Sequence, residues 1–413
     1  MTTGADGTTD APRAVTRRFM ALYALAQLGA FIAFVPMANI LLPLKAESID
    51  PLGKAVLLSQ VSLWGALAAG LTNLAAGALS DASHGRFGRR RPWIVVGAVG
   101  VAAAHGLVFL ADSMTSLLIS VLAFQVLTNV MFGPLNAVFP DQVPNRQKGF
   151  VAALMGLALP GASLFAAVIV ASLLSNLGAR FGVVTAAILL CVLPFALSLR
   201  ERPEAPAMKK KPGLSFIALR DRDFRLALFS RLLVQVTITL NVLYLLFFLQ
   251  ETARWDAGFP GAASDVVMGW LLGGSAVAAF LMGMVGGILS DRLRRRRVFV
   301  MSGGLAMGLA ALIMALAPGW PGPLVAQLIF GAGLGLFSTV DTALVAELLP
   351  DSDHAGRDLG LINLAITAPQ VLAPLAGLLL LSLTGGELNW IFALSALFAL
   401  SGAVVVSRIR RVR

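Results

Sequence analysis

Apolar positions in this chain fall in long runs separated by short polar loops. The runs reach about 20 residues or more, the length that crosses the hydrocarbon of a bilayer as helix. Within them there is no strict alternation of period two, which argues against a β-barrel. In lipid every backbone polar group must bond internally, and a helix does this alone. The pattern predicts twelve spans. Six lie at 19–43, 55–80, 93–111, 115–138, 150–175 and 178–199, and six at 225–249, 264–289, 298–317, 322–346, 359–383 and 387–407.

Composition agrees with the pattern. Hydrophobic residues make up 58% of the chain and charged residues 13%, against about 25% charged in soluble domains. The net charge of +11 could suggest nucleic acid, but its placement points elsewhere. Of 32 Lys and Arg, 27 fall in alternate segments: 1–18, 81–92, 139–149, 200–225, 290–297, 347–358 and 408–413. The other loops hold Lys45, Lys54, Arg180 and Arg254, and Arg231 lies within a span. This bias places both termini in the cytoplasm and the protein in the inner membrane. Residues 1–18 read as a disordered cytoplasmic N-terminus, 200–224 as a basic, proline-bearing cytoplasmic linker, and 408–413 as a basic tail. Between them lie two six-helix units, 19–199 and 225–407. The first apolar run is too long for a cleavable signal.

The two units carry the same markers. Gly77-x-Leu79-Ser80-Asp81 recurs as Gly287-x-Leu289-Ser290-Asp291, and Phe139-Pro140-Asp141 recurs as Leu349-Pro350-Asp351, both 210 residues on. A shared offset predicts a duplicated unit, and in a membrane protein two related halves imply a solute site between them. The first motif continues as Arg86-Phe87-Gly88-Arg89-Arg90-Arg91-Pro92-Trp93-Ile94.

With six plus six helices and a basic central loop, these motifs resemble the major facilitator superfamily over nearly the whole chain. The S-D and G-R-R-R-P-W-I form is most similar to the glycoside/pentoside/hexuronide cation symporters and the related sucrose transporters. The resemblance implies an all-α integral membrane fold of two pseudo-symmetric bundles, with spans 1, 4, 7 and 10 around a central cavity. It implies alternating-access transport of a small organic solute, first a sugar or glycoside. The rivals are a facilitator or exporter of another weakly charged solute, or, in a different class, a non-transporting receptor.

Site expectations follow residue by residue. Asp81 should face the start of span 11, and Asp291 the start of span 5 near Gly149, each carboxylate meeting the free N–H groups of a helix N-terminus. Arg89 is the arginine expected to take a specific carboxylate partner; the other arginines read as topology signal. Arg231 in span 7 and Asp341 in span 10 are ionisable groups at membrane depth, each a functional hypothesis by default. They should pair, either as a structural lock or with Asp341 taking a proton; Glu347 near the membrane edge is the second proton candidate. Spans 1–6 offer no carboxylate at cavity depth, which argues against sodium binding at the family's usual site.

Candidate solute-binding groups are Tyr23, Gln27, Gln60, Trp64, Gln125, Asn129, Gln235, Asn241, Tyr244, Trp270, Asn363, Thr367 and Gln370. Rings cover the apolar face of a sugar and amides bond its hydroxyls; the bland alternative for each ring is packing. The polar set is thin for a disaccharide. His105 reads as a core histidine and Cys191 as packing. No metal-ligand spacing, phosphate loop or serine-nucleophile motif is present. The sequence therefore implies no enzyme, cofactor, metal or nucleic-acid partner. The implied partners are solute, lipid bilayer and a possible co-transported proton, in a monomer.

Overall fold

The computed structural model describes residues 14–82, 88–199, 201, 221–253, 261–348 and 355–411, with backbone alone at 74–82, 145, 346–347 and 355–366. Among these residues twelve helices are long and apolar enough to cross a membrane. We number them α1 (Arg17–Ile49), α2 (Lys54–Ala82), α3 (Arg91–Leu110), α4 (Met114–Gln142), α5 (Arg146–Leu173) and α6 (Leu177–Ser198). The second half holds α7 (Arg222–Glu251), α8 (Ser264–Leu293), α9 (Arg296–Leu316), α10 (Gly322–Leu348), α11 (Ala355–Thr384) and α12 (Asn389–Ser407).

Local chemistry sets the helix starts. Thr16, Asn176 and Asp221 each accept a hydrogen bond from the backbone N–H three residues on, at 3.1, 3.1 and 2.9 Å. Ser113 and Ser116 form a reciprocal capping box. These side chains satisfy donors that a helix leaves orphaned in its first turn. Prolines shape the interiors. Pro36 precedes a π-helical stretch, Met37–Leu41. The first α-helical stretch of α5 ends at Gly156, four residues before Pro160, where a proline ring meets the preceding carbonyl. By contrast, helix α11 continues through Pro369 and Pro374.

The packing repeats with the sequence. In the first half α1 packs on α5 and α6, α2 on α4, and α3 on α4 and α6. In the second half α7 packs on α11 and α12, α8 on α10, and α9 on α10 and α12. Adding six to each helix number of the first set gives the second, so the duplication is structural. The two halves meet through α2 with α11 and α5 with α8, contacts that the same operation exchanges. Close approach relies on glycine: a Cβ on Gly333 of α10 would lie 2.7 Å from the Gly303 carbonyl oxygen of α9, and one on Gly97 of α3 would lie 2.6 Å from the Met131 nitrogen of α4.

The first and last described segments lie at one end of the bundle. Val15 N–H donates to Gln147 Oε1 at 2.7 Å, and Arg410 and Arg411 N–H donate to Asp223 Oδ2 at 3.0 and 2.7 Å. We call this the terminal end and its opposite the far end. Several boundaries move by a few residues from expectation, and two have a clear cause. Helix α1 runs on to Ile49 because the turn after the π-helix stays helical, and α7 begins at Arg222 because Asp221 caps it. Most of the expected linker, and residues 1–13, lie outside the described residues.

Candidate functional site

Helices α7 and α10 run antiparallel and share two polar rungs. At the first, Arg231 Nε stands 2.9 Å from Asp341 Oδ2, with side chains 11% and 4% exposed. At the second, Gln327 Nε2 donates to Asn241 Oδ1 at 2.8 Å and Asn241 Nδ2 faces Gln327 Oε1 at 3.4 Å. Ten residues of α7 separate the rungs, about 15 Å at 1.5 Å per residue. Asn241 was expected at the lining; Gln327 had no sequence signal beyond being an amide in an apolar run.

The equivalent helices of the first half, α1 and α4, are joined without charge. Tyr23 donates its hydroxyl to the Leu135 carbonyl at 2.9 Å, and Gln27 Nε2 donates to Asn136 Oδ1 at 3.1 Å and to the Tyr23 hydroxyl at 3.2 Å. Tyr23 is fully buried and Gln27 nearly so. Both are expected as solute ligands, and in this conformation their polar atoms are taken up between helices, since a buried donor in lipid must find a partner. Asn129 is likewise engaged, accepting from Asn73 of α2 at 3.0 Å and donating to the Gln125 carbonyl at 2.9 Å.

Other expected lining residues retain accessible surface. Gln60, Gln125, Gln235, Thr367 and Gln370 are half-buried, while Trp64 and Trp270 are exposed. In the π-helical part of α1, Asn39 Oδ1 is buried and accepts no hydrogen bond among the described residues. Side chains of Asn363, Asp81 and Glu347 lie outside the described residues.

The far end carries a cluster that charge counting left as loop residues. Lys54 Nζ at the start of α2 meets Glu47 Oε1 of α1 at 3.1 Å, Gln250 Oε1 of α7 at 2.7 Å and Glu251 Oε1 at 3.3 Å. Gln250 returns a bond to Glu47 Oε2 at 2.9 Å. One turn and a half deeper, Tyr244 is fully buried and its hydroxyl lies 2.5 Å from Ser59 Oγ of α2. In this conformation Tyr244, expected among the solute ligands, ties the halves together. Arg180, at the start of α6, pairs with Asp265 at the start of α8 and also holds the Leu174 carbonyl at 2.7 Å. The signal in sequence was a few isolated charges of opposite sign at the far-end helix starts and stops.

At the terminal end the duplicated motifs behave differently. Asp291 is exposed and faces Arg296 Nη2 of its own half at 3.4 Å. In this conformation the Asp291 carboxylate stays in solvent beside that cation; the contact expected with the start of α5 is one that holds the terminal end shut. The first motif is anchored by Glu201. Its carboxylate accepts from the N–H groups of Arg89, Arg90 and Arg91 at 2.5, 2.8 and 2.6 Å. Gly88, with φ of 95°, leads into this cap, and its lack of a Cβ gives the carboxylate room. Arg90 makes an ion pair with Asp141 at 3.2 Å.

His105 is fully buried with Nδ1 2.9 Å from the Val101 carbonyl, and edge-on to Phe124. Among the described residues no group of His, Cys, Asp or Glu comes together to hold a metal.

The family model for the Major Facilitator Superfamily matches residues 19–264 and 261–413. Among solved structures, a variant of peptide transporter POT in complex with sulfate is 14% identical, with a TM-score of 0.75, covering 98% of this chain and 95% of that one. A variant of nucleoside transporter NupG is 12% identical, with a TM-score of 0.70, covering 94% and 100%. A POT family transporter in complex with a thioalcohol-conjugated peptide is 13% identical, with a TM-score of 0.74, covering 94% and 95%. No curated protein sequence matches. At these identities the neighbours share the fold alone, while the family match spans nearly the whole chain: this protein belongs to the major facilitator superfamily, a twelve-helix membrane transporter and not an enzyme.

Proposed function

We propose that this transporter moves a small organic solute without net charge, first a sugar or glycoside, by alternating access across the inner membrane. One observation carries the reading: the ionic groups at depth, Arg231 and Asp341, are matched to each other. A charged solute needs a countercharge held ready, and a desolvated charge without one is costly. The groups left for a neutral solute are the half-buried amides of Gln60, Gln125, Gln235 and Gln370, the rings of Trp64 and Trp270, and the unengaged Asn39 carbonyl. Amides and rings bond hydroxyls and cover apolar sugar faces.

The coupling element of this proposal is the Arg231–Asp341 pair. A proton taken up by Asp341 releases Arg231, and the bundle that loses the bond repacks. One proton driven through 100 mV carries about 2.3 kcal/mol, enough for roughly fifty-fold accumulation. With both termini in the cytoplasm, the far-end cluster closes the outer side and the solute site faces inward in this conformation.

Uptake into proteoliposomes tests the reading. Labelled mono- and disaccharides are offered with and without a pH gradient, acid outside. Gradient-dependent accumulation of any of them supports it; accumulation of a charged solute alone, with every sugar excluded, refutes it. A second reading has its own support: Tyr23, Asn241 and Tyr244 are engaged within the protein, which thins the polar lining and favours a more apolar, weakly charged solute. The same assay with such solutes separates the two.

A further inference from the structure

At the terminal end, away from the path between the halves, α7, α9 and α12 border an open recess of about 510 Å³ lined by Arg222, Arg297, Ser407, Arg408 and Arg410. Four arginines from three separate helix ends thus line one space. Like charges so gathered repel, and an anion seated among them relieves that repulsion. The nearby carboxylates are otherwise occupied. Asp223 accepts from the backbone N–H groups of Arg410 and Arg411, and Asp221 caps Phe224 while standing 3.7 Å from Arg411 Nη1. Arg297 Nη1 spends one donor on the Ile409 carbonyl at 2.6 Å. Among the described residues, Arg222, Arg408 and Arg410 have no ion-pair partner.

The geometry points to a binding site for a phosphate-bearing anion, with the phosphodiester headgroup of an anionic lipid as its source. Guanidinium groups bond phosphate oxygens in parallel pairs, and Ser407 adds a hydroxyl donor. The cavity sits where the helices end, at headgroup level. Exposed apolar side chains lie along the same helices, at Phe229 of α7 and Val404 of α12 one to two turns deeper and at Val298 of α9 next to Arg297. They give acyl chains a path. A basic pocket between membrane helices at such a level is where anionic headgroups bind. Occupancy would tie the C-terminal segment to the start of α7, and so fasten the second half to one leaflet without touching the solute path.

The test uses the purified full-length protein in detergent. Thermal unfolding is followed while phosphatidylglycerol, phosphatidylcholine or inorganic phosphate is titrated in. Phosphatidylglycerol should raise the midpoint and phosphatidylcholine should not. The apparent affinity should fall roughly fivefold for each arginine removed in Arg222→Gln, Arg408→Gln and Arg410→Gln. Any variant with a lowered starting midpoint is read by its lipid-dependent shift, and Arg408→Lys should retain part of the effect. The double variant Arg292→Gln with Arg294→Gln, between α8 and α9, should bind as the parent does. If inorganic phosphate reproduces the shift, the same site takes free phosphate. If neither anion shifts the midpoint, or if the Arg292 and Arg294 double variant loses as much as the pocket variants, the site does not exist and only general surface charge is at work.

Discussion

Arg231 of α7 and Asp341 of α10 meet at 2.9 Å inside the second half, both almost fully buried. Removing one partner leaves the other charged in a dry setting, which costs about 3–5 kcal/mol. Asp341→Asn should therefore lower the unfolding temperature, and Arg231→Gln combined with Asp341→Asn should recover much of the loss. If the pair couples a proton to transport, the double variant should still exchange solute but no longer accumulate it. Accumulation equal to the parent's would remove Asp341 from the coupling step.

Lys54 should control opening of the far end. It is held by Glu47, Gln250 and Glu251 at once, and Lys54→Gln keeps the length of a polar side chain while deleting the charge. In a Cys191→Ser background, a cysteine at Gln60 should react several-fold faster with a membrane-impermeant reagent from the far side when Lys54 is replaced. An unchanged rate would mean that packing alone closes that end.

Tyr244 and Ser59 should be energetically coupled. Their hydroxyls are 2.5 Å apart across the two halves, and a buried neutral hydrogen bond contributes about 1 kcal/mol. In a double-mutant cycle of Tyr244→Phe and Ser59→Ala, stability losses should be non-additive by about that amount. Additive losses would show that each hydroxyl is satisfied elsewhere.

Glu201 should set the start of α3. Its carboxylate takes three successive backbone N–H groups, and loss of a helix cap costs about 1 kcal/mol. Glu201→Ala should lower thermal stability by that much or more, Glu201→Gln by less. Gly88→Val should be worse than either, because φ there is 95° and a β-branched side chain is strained in that region.

The α9–α10 contact should not tolerate bulk. Gly333→Leu would drive a side chain into Gly303, whose carbonyl oxygen already lies 2.7 Å from where a Cβ would sit. Overpacking of this kind costs about 1–3 kcal/mol or more, and folded protein recovered from membranes should fall sharply. The same outcome is expected at Gly97, in the equivalent α3–α4 contact of the first half.

Much of the fold could be read from residues. Span number, duplication and the pairing of Arg231 with Asp341 follow from length, repeat offset and the scarcity of charge in apolar runs, all of which are local or counting properties. The solute site was less legible. An amide in an apolar helix has the same one-letter signal whether it faces a cavity, as the half-buried Gln235 can, or a neighbouring helix, as Gln27 and Asn241 do. Rotation about the helix axis decides between them, and sequence without its neighbours does not fix that rotation. The far-end cluster escaped for another reason: Glu47, Lys54, Gln250 and Asp265 lie at loop edges, where charges are ordinary, and only the tertiary fold makes them neighbours.

Lys54 belongs to one half, while Gln250 and Glu251 belong to the other and Glu47 shares its own side. A single ammonium group therefore answers to several claimants at once. Separation of the halves takes it from Gln250 and Glu251 together, while Glu47 travels with it. The far end therefore parts with its ammonium already matched to a carboxylate, and no bare cation is stranded as that door opens.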